Sequence, residues 1–174
     1  MPQAADRGLS AALAALGPAA GVVASIPDRD ARLEAFVQLW WDAAAPLGAS
    51  WAGFYVDLPQ EPDDRRMVLA ARRPKPACSS IGVHGACGQA LLAACTLVVH
   101  DVEDLGAGYV ACDPRDRSEL VVPCLRADGF AWGVFDADSH QVGAFGAADG
   151  LACERLLVLA GLSEPHAAPP RLSR

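Results

Sequence analysis

Two hairpin signals set the frame of this 174-residue chain. Ser50–Asp57 is β-prone and aromatic, Pro59–Arg65 is a polar turn, and Met67–Ala71 resumes as a strand. Further on, Glu119–Leu125 and Phe130–Asp136 flank Ala127-Asp128-Gly129, where Asp-Gly supplies the turn. Short turns join strands antiparallel, so the chain is built around an antiparallel sheet.

Helical patterns surround these pairs. The Ala/Leu-rich stretch Ala4–Ala24 is broken at Gly17-Pro18 and reads as a first helical segment. Asp28 or Asp30 caps a second helix over Ala31–Ala45, with Leu33, Phe36, Val37, Trp40 and Trp41 on its apolar stripe, and Pro46 and Gly48 end it. Ala86–Ala94 reads as a short helix, Leu97–Val99 as a strand and Ala147–Ala160 as a final helix. With thirteen Arg to the single Lys75 and no Asn, the composition is skewed, so Ala runs weigh little as helix signals. The order predicts an α+β fold, an antiparallel sheet flanked by helices. It divides into an N-terminal helical segment (1–28), one domain (29–162) and a flexible C-terminal tail (163–174).

Apolar residues at 52% against 20% charged exclude disorder for the body of the chain. The net charge of −7 argues against nucleic acid as a partner, since phosphate neutralisation needs a basic face. No apolar run reaches membrane-spanning length, and Asp6 and Arg7 come too early for a signal peptide. The expectation is a cytoplasmic protein with no membrane partner.

Six cysteines are many for such a compartment. They form no C-x-x-C pair and have no His at ligand spacing, which excludes a structural zinc site and a thioredoxin-type motif. Cys95, Cys124 and Cys153 read as small buried hydrophobes. Cys78, Cys87 and Cys112 fall in or beside two irregular stretches, Arg73–Gly85 and Glu103–Arg117, where thiols stay accessible. Cys87 sits where a helix begins, and helix N–H groups there stabilise a thiolate.

In order along the chain come Trp51-Ala-Gly-Phe-Tyr55, Lys75-Pro-Ala-Cys78, Gly85-Ala-Cys87-Gly88, Ala111-Cys112-Asp113, Ser118-Glu119-Leu-Val-Val-Pro123 and Gly133-Val-Phe-Asp136-Ala-Asp138-Ser139. Over about residues 30–162 this ordered set resembles the free methionine-(R)-sulfoxide reductases, catalytic members of the GAF-domain fold. The resemblance implies an enzyme that reduces free L-methionine-(R)-S-oxide, is restored by thioredoxin, tends to a homodimer, and carries neither organic cofactor nor metal. Cys112 would be the nucleophile, Cys78 its resolving thiol, and Cys87 an alternative or relay thiol. Two departures stand out: Val83–Gly88 is one residue shorter than the family pattern, and 105–110 is one longer, with Tyr109 in place of a His.

The chemistry fits these residue types. A thiolate attacks the sulfoxide sulfur, and the oxygen leaves only if it gains a proton, which a carboxyl held neutral by burial and close like charges supplies. Glu119, Asp136 and Asp138 form such a set, with the two aspartates on one face of a strand. Remaining carboxylates would bind the substrate ammonium, and Trp51 and Tyr55 would wall its methyl and thioether part. Tyr109, Val110 and Asp113, around the Ala-Cys-Asp motif, complete the substrate set that the resemblance implies. Attack leaves a sulfenic acid that condenses to a disulfide. The competing readings are a non-catalytic GAF sensor of a small molecule or redox signal, and a reductase of a different small sulfoxide.

Overall fold

A computed structural model describes residues 8–74, 77–106 and 112–172. The N-terminal pattern forms two helices, α1 (Leu9–Ala15) and α2 (Gly17–Ala24), parting at Leu16. Pro18, lacking an N–H, suits only the first turn of a helix. Helix α3 (Arg29–Ala44) starts where the Asp28 carboxylate accepts a hydrogen bond from the Ala31 amide at 2.8 Å, a cap worth about 1 kcal/mol. Leu33, Phe36, Val37 and Trp40 of its stripe are buried, whereas Trp41 packs at the edge and is only partly covered.

The strands are β1 (Trp51–Asp57), β2 (Met67–Arg73), β3 (Ser80–Ile81), β4 (Leu97–Val99), β5 (Ser118–Leu125), β6 (Ala131–Ser139) and β7 (Arg171–Leu172). Among the described residues they form one sheet in the order β3-β2-β1-β6-β5-β4-β7. Every neighbouring pair is antiparallel except β4 and β7, which run parallel. Both predicted hairpins are present. At the second one Asp128 accepts from the Phe130 amide at 3.0 Å, and Gly129 takes the left-handed φ of +83° that the turn needs. Strand β6 runs on to Ser139, three residues past the predicted end, and β3 and β7 are short strands the sequence pattern does not announce.

The α+β arrangement follows from alternation. Ala52 and Phe54 of β1, Phe135 and Ala137 of β6, and Leu120 and Val122 of β5 point to one face, where α1, α2, α3 and α5 (Ala147–Leu159) cover them. There Phe36 meets Phe54 at 5.6 Å and Phe135 at 5.3 Å, both edge-on. The opposite face carries a smaller core of Tyr55, Val121 and Val134 against α4 (Ala86–Ala93). Beyond residue 162, the segment predicted as a tail adds β7 beside β4, with the Arg171 amide donating to the Thr96 carbonyl at 2.7 Å. No helix among the described residues is long and apolar enough to cross a membrane.

Candidate active site

Strand register assembles the acids. Across β1, β6 and β5, Trp51 lies opposite Asp138, which lies opposite Glu119; one step on, Gly53 faces Asp136, which faces Val121. These positions alternate with the helix-facing ones, so all point to the α4 side of the sheet. Glu119 and Asp136 are buried there and Asp138 half-buried. The first turn of α4 closes over them, with Cys87 Sγ 3.9 Å from Glu119 Oε1.

The aromatic wall depends on a glycine. The Trp51 ring stacks on Tyr55 with centroids 6.0 Å apart, passing over Gly53. A Cβ at Gly53 would stand 2.5 Å from that ring and 2.6 Å from the Ala71 carbonyl oxygen. The Tyr55 hydroxyl donates to the Cys78 carbonyl at 3.0 Å and so fixes one thiol-bearing loop to the sheet.

Cys78 and Cys112 form a disulfide with Cα atoms 5.9 Å apart, within the span a bridge tolerates. Cys112 is exposed and Cys78 half-buried, while Cys87, Cys95, Cys124 and Cys153 are free and buried. Burial of the last three fits their reading as small hydrophobes. For Cys87 the accessible, helix-stabilised thiolate expected from the sequence is not what forms. Burial pushes its thiol well above the ordinary range, and the nearby Asp136 and Glu119 charges push the same way, outweighing the helix terminus.

One cavity of about 710 Å³ collects these groups. The acids Glu119, Asp136 and Asp138 line it, as do the three thiol positions 78, 87 and 112. Trp51, Tyr55 and Asp113 complete the described part of the predicted set. Tyr109 and Val110, and Lys75 of the Cys78 motif, lie outside the described residues.

Charge is concentrated where water is scarce. Burial pushes Asp136 up to about 7, its contacts with Cys87 and Glu119 opposing the rise, and one carboxylate oxygen, Oδ1, has no hydrogen-bond partner among the described residues. Asp138 is raised well above the usual carboxylate range, first by burial and then by the charges of Asp136 and Glu119. Tyr55 is raised too, chiefly by burial, so its hydroxyl stays a donor. Asp113 goes the other way, because the Arg115 fork holds its carboxylate at 2.7–3.2 Å and keeps it ionised. Burial thus favours the neutral form of Asp136 and Asp138 deep inside, whereas Arg115 favours the ionised form of Asp113 beside the exposed sulfur.

Ser50, Arg115, Asp116 and His140 are among the lining residues that the sequence reading did not select. For His140 a signal existed, since it continues the two-residue spacing of Asp136 and Asp138. Asp116 is buried beside Ser50, whose hydroxyl donates to it at 3.2 Å, a contact between segments 66 residues apart that no local pattern carries. Among the described residues, two sets of side chains are by distance alone compact enough to hold a metal ion: Cys87, Glu119 and Asp136, and Asp113, Asp116 and His140, with ligand atoms within 4.8 Å in each.

No protein-family model matches the chain. It is similar to the free methionine-R-sulfoxide reductase of Saccharomyces cerevisiae, 36% identical over 124 residues that span 70% of this chain and 67% of that protein. Matches to the curated relatives span between 53% and 67% of those proteins' own length. Among solved structures, the free methionine-R-sulfoxide reductase of Neisseria meningitidis in complex with its substrate superposes with a TM-score of 0.76 at 34% identity, covering 92% of each chain. A GAF domain superposes with a TM-score of 0.78 at 28% identity, covering 90% of this chain and 89% of the other. The fold is therefore a GAF domain, and its cavity face is the one that carries the acids and thiols.

Proposed function

The chain belongs to the free methionine-R-sulfoxide reductase family, and on that premise we propose that it reduces free L-methionine-(R)-S-oxide to L-methionine, with Cys112 as the attacking sulfur and Cys78 as its disulfide partner. The observation that carries this reading is that one cavity is lined by both the Cys78–Cys112 bridge and the Glu119, Asp136 and Asp138 set.

In the reduced protein the Cys112 thiolate attacks the sulfoxide sulfur. The S–O bond breaks as the oxygen takes a proton and passes to Cys112, giving methionine and a sulfenic acid. Asp136, held up to about 7 by burial, supplies a neutral carboxyl near neutral pH, and Asp138 is raised in the same sense. An ionised carboxylate of the set takes the substrate ammonium, and Trp51 and Tyr55 enclose the methyl and thioether end. Condensation of the Cys78 thiol with the sulfenic acid releases water and closes the disulfide. Thioredoxin, a dithiol of suitably low potential, then reduces the bridge and is itself oxidised. Exposure of Cys112 supports that exchange, and a reducing cytoplasm is where such a cycle runs.

The sensor alternative accounts for a cavity but not for a thiol pair sharing it with neutral acids. The deciding experiment gives the purified protein resolved R and S forms of free methionine sulfoxide, with thioredoxin oxidation as readout. Turnover with the R form alone is the expected result. Absence of turnover with either form, or turnover confined to another small sulfoxide, overturns the substrate assignment.

A further inference from the structure

His140 follows β6 directly, two positions beyond Asp138, and its Nε2 lies 3.6 Å from Asp113 Oδ2 and 3.6 Å from Asp116 Oδ1. Those two aspartates close a turn next to Cys112, the Asp116 amide donating to the Asp113 carbonyl at 3.1 Å. The spacing exceeds a hydrogen bond and sets one imidazole between two carboxylates that otherwise repel each other. The rest of the turn is fixed from the same side. The Ser50 hydroxyl donates to Asp116, and the Arg117 amide donates to the Ser139 carbonyl at 2.8 Å. Among the described residues, the hydrogen bonds to the Asp113 carboxylate come from Arg115, its near neighbour in sequence, which ties the turn to itself and not to the sheet.

We propose that His140 is a positioning residue: by bridging Asp113 and Asp116 it ties the Cys112-bearing turn to the end of the strand that carries Asp136 and Asp138. The nucleophile stands on a loop and its proton donors on a sheet, so catalysis needs a strut between the two. Loss of the strut lets the turn swing, which lowers both the fraction of Cys112 aligned with a bound sulfoxide and its effective concentration toward Cys78. Substrate contacts with the acids and the aromatic wall stay as they are. The kinetic half of this inference rests on the reductase reading; the thiol half does not.

The test uses His140→Ala, His140→Lys and the pair His140→Ala/Asp116→Asn. In a glutathione redox buffer, His140→Ala should shift the Cys78–Cys112 equilibrium about tenfold toward the dithiol. In single turnover it should slow methionine release about tenfold with KM for the R-sulfoxide within about twofold of wild type. His140→Lys, which places a cation between the carboxylates, should recover most of both. Adding Asp116→Asn to His140→Ala should cost less than about a further twofold, because the two act as a unit. An unchanged glutathione equilibrium overturns the proposal whether or not the protein reduces sulfoxides. So does a rate loss matched by a rise in KM, or one that His140→Lys fails to repair. A shifted equilibrium in a protein inactive on every methionine sulfoxide sustains the strut and sinks only the substrate assignment.

Discussion

Replacing Asp136 by Asn isolates the buried acid that the proposed mechanism uses as proton donor. In the folded protein this carboxyl holds its proton up to about 7, against 3.8 when exposed. A group whose pKa is raised by folding binds its proton more tightly in the native state, so stability falls as pH rises between the two values. At pH 8 both states are ionised and the burial costs about 4 kcal/mol, whereas at pH 5, where the folded carboxyl is neutral, it costs less than half of that. The Asn side chain has no such titration, and by removing a negative neighbour it also eases Asp138. Urea unfolding of wild type and Asp136→Asn, with the disulfide closed, should therefore show their stability difference moving by about 2–3 kcal/mol in favour of Asn between pH 5 and pH 8. A difference constant to within about 0.5 kcal/mol refutes the claim that this carboxyl is held neutral. The same proton predicts wild-type kcat falling as pH rises through about 7, and Asp136→Asn losing that limb together with most of its activity.

Other perturbations test other parts. Cys112→Ser should abolish thioredoxin-coupled turnover, whereas Cys95→Ser, buried beside the Pro169 carbonyl and away from the cavity, should keep most of it. Glu119→Gln should cut the single-turnover rate by about a hundredfold, read by rapid quench, with urea midpoints showing the fold intact; an unchanged rate removes Glu119 from proton handling. At Gly53 an added Cβ meets the Trp51 ring and the Ala71 carbonyl, so Gly53→Ala should cost about 1–3 kcal/mol in urea unfolding and raise KM by displacing the indole.

Much of this was legible in the residues because the information was local. Two-residue spacing placed Asp136 and Asp138 on one face, and turn chemistry marked both hairpins. What stayed hidden depended on which distant segments meet. The raised thiol of Cys87 comes from burial in an apolar cluster and from acids 32 and 49 positions away, whereas its local setting, at a helix start, argued for an accessible thiolate. Asp116 gains its place from Ser50. The two-residue strand β7 has no propensity signal of its own and owes its seat to backbone pairing with β4 and to Pro170 lying against Gly150. His140 is the exception, since extending the alternation past Asp138 would have found it.

The phase of β6 carries a further consequence. The same alternation that sends Phe135 and Ala137 into the aromatic packing delivers Asp136 and Asp138 to the sulfur side. A slip of one residue would exchange them, turning hydrocarbon toward the thiols and carboxylates into the helices. A mispaired chain therefore sets carboxylates among hydrocarbon at a heavy solvation penalty and leaves the cavity without its acids. One pleat pattern builds both the core and the cavity, so a chain that fails to pack the first also fails to assemble the second.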